Sequence, residues 1–166
     1  RIMRPELAGG PLLDLGTYPL SLAHWTLGMP TEIIARGVPA PSGVNGQASA
    51  LLVHDGGAHS VITTSIFSNT PTGATIAGTE ATITIPGIYY RPGAFTVAAG
   101  NGTATLVYDE PQADYASLAY EAAETARRIA AGETATPCRP LADTIATMEI
   151  IDEIRQQLGI VFDGEA

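Results

Sequence analysis

Apolar and polar residues recur with two different periods along the chain, and the changes of period mark off three regions. Over residues 10–28, Leu12, Leu13, Leu20, Leu22, Ala23 and Leu27 recur at helical spacing, and Gly28 with Pro30 supplies a stop. Pro19 removes a backbone donor and crowds the carbonyl of Leu15, so the spacing predicts a kink or restart at Tyr18-Pro19. From about residue 31 to residue 108 the period is that of strands. Glu32–Val38 is β-rich, Gln47–His54 and His59–Phe67 flank the turn signal Asp55-Gly56-Gly57-Ala58, and Thr82–Ile85 alternates up to Pro86-Gly87. Phe95–Ala99 and Thr103–Tyr108 flank a second hairpin signal, Gly100-Asn101-Gly102. Turns this short join antiparallel neighbours, because parallel ones need crossovers of about a dozen residues or more.

The helical period returns after residue 113. Asp114 is placed to cap a helix whose stripe is Leu118, Ala122, Ala126, Ile129 and Ala130, closed by Gly132. Past Pro137-Cys138-Arg139-Pro140, a last helix carries Leu141, Ile145, Met148, Ile151, Ile154 and Leu158, with Gly159 as its stop. Helices at both ends of a run of strands predict an α+β fold: an open, mainly antiparallel sheet with helices packed on one face.

Composition narrows the function classes. The 166 residues hold 8 basic and 17 acidic side chains, a net charge of −9, and every basic residue is Arg. Without a basic patch, neither nucleic acid nor an anionic membrane surface is expected as a partner. One cysteine, Cys138, excludes an internal disulfide and is read as a small apolar filler. No apolar run reaches the roughly 18–20 residues of a membrane span, and no signal peptide opens the chain, so a cytoplasmic protein is expected. The opening Arg1-Ile2-Met3-Arg4-Pro5-Glu6 has neither initiator Met nor cap, and is read as continuing from a longer protein. No phosphate-binding G-x-G-x-x-G or G-x-x-x-x-G-K-[ST] occurs.

Asp14 and Tyr18 are the informative polar pair. Four apart on a helix, they share one face with Cβ atoms about 5–6 Å apart. Their neighbours Leu12, Leu13, Leu15 and Gly16 are apolar or small. A carboxylate there needs a partner, and a phenol serves as that partner or as proton donor to a ligand. From the spacing alone, a helix-start Asp beside a half-buried Tyr is the stronger reading. Arg4 is placed to reach an anionic or hydroxylated substrate, or to stand as a solvated strap residue. His24 beside Trp25 is either a pocket liner or a packing residue. His54, Asp55 and His59 bracket a hairpin turn, but three or four converging ligands are the norm for metals, and no metal site is expected. Glu80 is read as solvent-facing in a tight turn Gly78-Thr79-Glu80, Tyr89 and Tyr90 as edge packing, and Asn101-Gly102-Thr103 as an accidental glycosylation pattern.

The run Glu6-Leu7-Ala8-Gly9-Gly10-Pro11-Leu12-Leu13-Asp14-Leu15-Gly16-Thr17-Tyr18 resembles the Gly-Gly-x-Leu-Leu-Asp-x-Gly-x-Tyr segment of the glucose–fructose oxidoreductase, inositol dehydrogenase and rhizopine-catabolism protein family. The Tyr at position 18 is similar to its dihydrodiol dehydrogenase and glucose–fructose oxidoreductase branches, the former above all. Pro11 departs from the pattern, where Gly or Ala is frequent. The resemblance continues through Ile76–Ile83, Tyr120-Glu121, Ile129–Gly132 and Met148–Arg155, and so spans nearly the whole chain in order. It implies a dihydrodipicolinate-reductase-like C-terminal domain over residues 1–166, with the Rossmann domain that binds NAD or NADP absent. By the same resemblance, Tyr18 exchanges a proton with a sugar, polyol or dihydrodiol, and Asp14 positions that substrate or the proton network. Arg4 and His24 are the substrate-binding candidates by their positions in the sequence. The partners implied are the protein's own N-terminal Rossmann domain, a carbohydrate-like small molecule, and further copies through the sheet. A phenol of ordinary pKa near 10 needs a neighbouring cation to act as a base at neutral pH. The family's catalytic Lys belongs to the Rossmann domain, so this piece by itself is expected to be inactive. The alternative is a non-catalytic binding or dimerisation module of the same fold, and a G-x-G-x-x-G unit upstream in the gene separates the two.

Overall fold

The computed structural model of the chain describes residues 1–110, 115–162 and 165. Asp114, the expected helix cap, lies outside the described residues. The chain divides into two compact units, residues 1–69 with 137–166, and residues 70–136.

In the first unit, α1 (Pro11–Asp14) and α2 (Thr17–Leu27) precede the antiparallel sheet β1 (Pro30–Pro39), β2 (Asn45–His54) and β3 (His59–Ser65), and α4 (Leu141–Leu158) returns to it. The Asp55-Gly56-Gly57-Ala58 hairpin forms as expected, with His54 N–H donating to Ala58 O at 2.9 Å. β2 alternates strictly, burying Ala48, Ala50, Leu52 and His54 on one face. Leu12 and Leu20 from α1 and α2, Ile150, Ile151 and Ile154 from α4, and Ala35 and Ile62 from β1 and β3 close the core over that face. Small residues on the strands and branched ones on the helices let the two layers approach closely. The opposite face is open. There Ile34, Leu51 and Val61 stand in one row across the three strands, and Val61 is 75% exposed.

The outer edge of β1 is capped by a side chain. Gln157 of α4 accepts from Ala35 N–H at 2.8 Å and donates to Ile33 O at 2.7 Å, satisfying the edge groups that would otherwise invite another strand.

In the second unit, β4 (Ala74–Ala77), β5 (Ala81–Ile85), β6 (Phe95–Ala99) and β7 (Thr105–Tyr108) form a four-stranded antiparallel sheet in sequence order, followed by α3 (Leu118–Ala130). The α+β class with antiparallel strands and helices on a sheet face therefore holds, with the strands divided between two hydrogen-bonded sheets. β4 was not expected as a strand; its four residues are too short to show a period. The turn Gly78-Thr79-Glu80 closes as expected, Gly78 N–H donating to Ala81 O at 2.9 Å, with Glu80 exposed.

Two apolar stripes behave differently from expectation. In α4, Ile151 and Ile154 are buried but Leu141, Ile145 and Met148 are exposed, because the covered face runs through Thr147, Ile150, Ile151 and Ile154. No described side chain of α3 is buried, and Leu118 and Ile129 are 57% and 70% exposed. An Ala-rich sequence and ion pairs hold that helix instead. Glu124 pairs with Arg127, and with Arg128 at 2.7 Å one turn on.

Candidate functional site

The site expected around Asp14 and Tyr18 is built by a strap and an elbow. Residues 1–9 fold back so that Gly10 N–H reaches Ile2 O at 2.7 Å, with Gly10 at φ 116°, a conformation that favours glycine. Pro11 then opens α1 at its first position, where its missing N–H costs nothing. After one turn, Leu15 N–H and Gly16 N–H both reach Pro11 O, at 2.7 and 2.9 Å, and the helix breaks. A Cβ on Gly16 would stand 2.3 Å from Leu12 O, so any other residue would force this elbow to shift. The break falls at Leu15-Gly16 rather than at Tyr18-Pro19. Pro19 thereby becomes the third residue of α2, in the first turn, where its N–H would have no helical acceptor.

Asp14 closes α1, and Tyr18 is the second residue of α2. They thus sit on either side of the Leu15-Gly16 break, whose two residues keep right-handed helical backbone angles. Both are open to solvent: the Asp14 side chain is 46% exposed, and Tyr18 is 42% exposed. Among the described residues the Asp14 carboxylate has the Arg1 guanidinium as its ion partner, at 3.8 Å. Two exposed charges at that distance attract weakly, so Asp14 remains available to another donor. Beneath the elbow, buried Leu12 and Leu20 anchor both helices in the core.

The other two candidates stand apart from this pair. Arg4 Nε donates to Glu6 Oε1 at 2.6 Å on the exposed strap. The backbone N–H of Glu6, and then the Arg4 guanidinium, hold the Glu6 carboxyl below the usual range. His24 lies six residues past Tyr18, about 120° around α2 at 100° per residue. It is half-buried, and its Nδ1 is buried with no hydrogen-bond partner among the described residues.

Sequence reading missed one residue with a bearing on the elbow. Arg139 Nη1 donates to Ser21 Oγ on α2, and Arg139 Nη2 donates to Thr147 Oγ1 on α4 at 3.0 Å. Its setting between Pro137 and Pro140 marked only a linker.

A cleft of about 320 Å³ in the first unit is lined by the end of β1, residues 43–45 and the end of α4. Among the described residues, none of the four candidates lines it, and no titratable side chain does either. In the second unit a cavity of about 300 Å³ holds the network of Glu124, Arg128, Glu133 and Thr136. The Glu124 carboxyl is kept below its ordinary range by the Thr136 hydroxyl first and then Arg128. Glu133, at 2.7 Å, and Glu124 hold the Arg128 guanidinium more strongly protonated than usual. These bonds close the loop after α3.

The remaining candidates resolve individually. His54 is buried with Nε2 3.0 Å from Ser60 Oγ, whereas Asp55 and His59 are exposed. Among the described residues no cluster of three His, Cys, Asp or Glu is placed to hold a metal ion. Asn101 Oδ1 accepts from Thr103 N–H and Oγ1–H at 3.0 and 2.6 Å, which places it within the β6–β7 turn. Tyr89 and Tyr90 meet edge to face at 5.4 Å. Cys138 is exposed, not a filler, because the prolines on either side keep it in a surface linker. Among the described residues no helix is long and apolar enough to cross a membrane.

The sequence profile of the GFO/IDH/MocA C-terminal domain matches residues 1–84, the stretch holding the strap, the elbow, the first sheet and the Ile76–Ile83 turn. The chain belongs to the GFO/IDH/MocA family. Among GFO/IDH/MocA relatives, it is 27% identical to a trans-1,2-dihydrobenzene-1,2-diol dehydrogenase of Xenopus tropicalis over 98% of its length and 51% of that protein's. It is 29% identical to a scyllo-inositol 2-dehydrogenase (NADP(+)) of Bacillus subtilis, again over 98% of its own length and 48% of the relative's. An NAD binding oxidoreductase from Klebsiella pneumoniae shares the fold with a TM-score of 0.73 at 19% identity, over 90% of this chain and 49% of that one. The chain therefore spans about half the length of the curated relatives it matches.

Proposed function

We propose that the chain is the substrate-side, C-terminal domain of an NAD(P)-dependent oxidoreductase acting on a polyol, sugar or dihydrodiol. The elbow carries this reading. It sets a carboxylate and a phenol on adjoining helix ends, rooted in the core beneath and open to solvent above. Tyr18 Oη–H donates a proton to the substrate oxygen as a carbonyl is reduced, and takes it back in the opposite direction. Asp14 accepts a hydrogen bond from a neighbouring substrate hydroxyl and orients it. Names of relatives that act on a dihydrodiol and on an inositol support a vicinal diol as the substrate class. Arg4, on the same strap as Arg1, is the candidate for a more distant oxygen.

The nicotinamide supplies the hydride in such a reaction. The described residues do not build its site: the strands are antiparallel, with no strand–glycine-loop–helix crossover, and the larger cleft offers no cationic side chain. We assign it to the half of the relatives' length that this chain does not span.

The test is Tyr18→Phe in the full-length protein. The phenol ring stays and the proton goes, so kcat/KM should fall about 10²–10⁴-fold with cofactor binding unchanged. Undiminished turnover with polyols and dihydrodiols sinks the reading. A full-length protein with no dinucleotide affinity would favour a non-catalytic module.

A further inference from the structure

We propose that Arg139 is a positioning residue for Tyr18, a claim that rests on the proton-transfer role given to Tyr18 above. Its guanidinium reaches across 118 residues of sequence to Ser21 on α2. The other end of the fork bonds α4 twice, to Thr147 Oγ1 at 3.0 Å and to the Asp143 carbonyl at 3.4 Å. Thr147 is itself 3% exposed and donates to Asp143 O at 2.7 Å, so the anchor on α4 is rigid. The backbone of Arg139 is set by its neighbours, since a residue before proline is confined to extended conformations. Pro140, at φ −59° and ψ 148°, then leads directly into α4.

Ser21 lies three residues past Tyr18, on the same side of α2. The buried contacts of α2, Leu20 and Ala23, are apolar, and apolar packing is non-directional. It resists withdrawal of the helix more than rotation about its axis. A planar guanidinium bonded to both helices does resist rotation, because its donors are fixed relative to one another. A turn of α2 about its axis would swing the phenol oxygen furthest, since it stands at the end of the side chain. A displacement of about 1 Å at a reacting group is enough to cost on the order of 10²-fold in rate. Arg139 is itself exposed, so its bonds add little to overall stability, and their consequence is orientation.

The experiment uses the full-length protein carrying 3-fluorotyrosine, with the Tyr18 resonance assigned by its loss in Tyr18→Phe. Arg139→Ala should shift or broaden that resonance and lower kcat about 10–100-fold. The cofactor KM should stay within about twofold, and added guanidinium ion should recover part of the rate. Ser21→Ala should lose a similar factor, with no further loss in the double variant, because each breaks the Arg139–Ser21 link between α4 and α2. An unmoved Tyr18 resonance in Arg139→Ala overturns the proposal. So does turnover within about twofold of the parent in a protein whose Tyr18→Phe variant is slow. If Tyr18→Phe turns over normally, the proton-transfer role is what fails, and the resonance alone decides whether Arg139 orients the ring.

Discussion

Gly16 shows how much of the elbow is a matter of single atoms. Its φ of −69° is open to any residue, so the requirement is steric: the missing Cβ leaves room for Leu12 O. Gly16→Ala should destabilise the protein by about 1–3 kcal/mol, the usual range for overpacking a tight site, and a denaturant midpoint measures it. The same variant should lose activity beyond its loss of stability, since Asp14 and Tyr18 flank the elbow. Tyr18→Phe works in the opposite sense: the ring is 42% exposed, so stability should hold while catalysis falls. Asp14 and Tyr18 were legible as candidates because acidic and phenolic groups stand out in a run of Leu and Gly. The break between their helices was not, since two interrupting residues leave the i, i+4 spacing in the sequence unchanged. Arg139 escaped notice because the residue it serves lies 118 positions away, and no local pattern encodes that.

Among the elements, the α3 region depends on charge more than on burial. The Glu124 carboxyl, depressed by Thr136 and then Arg128, titrates lower folded than unfolded. Its contribution is therefore present above the ordinary carboxylate range and is lost as pH falls through the depressed folded value. Acidification below about pH 4.5 should loosen the loop after α3 before the first unit unfolds. Amide exchange across residues 118–136 against pH measures this, and Glu124→Gln should flatten the dependence. An unchanged pH profile in that variant would refute the assignment. Strand periods predicted the hairpins because alternation and Gly-rich turns are local properties. Helical stripes predicted α3 and α4 as elements but not which faces of them are covered, since coverage depends on what lies opposite.

For the whole molecule, the expected outcomes concern assembly and completeness. The 166-residue chain alone should show no hydride transfer with either nicotinamide cofactor and any of these substrates; absorbance at 340 nm above blank would contradict that. The open face of the β1–β3 sheet, with its row of Ile34, Leu51 and Val61, suits an isologous contact between copies. Val61→Asp should lower the solution mass of the full-length protein by light scattering without unfolding it, because Val61 contributes nothing to the core. A monomeric parent would remove that reading.

The amino-acid sequence by itself determined the class of fold, the hairpins, the helix stops and the short segment that marks the family, because each rests on interactions within a few residues. Tertiary structure alone decided that the strands divide into two sheets. It also decided that Gln157 seals the β1 edge and that Arg139 ties α2 to α4. Those outcomes depend on atoms that meet only when distant segments pack, and the entropy of closing such long loops is offset only by the folded core.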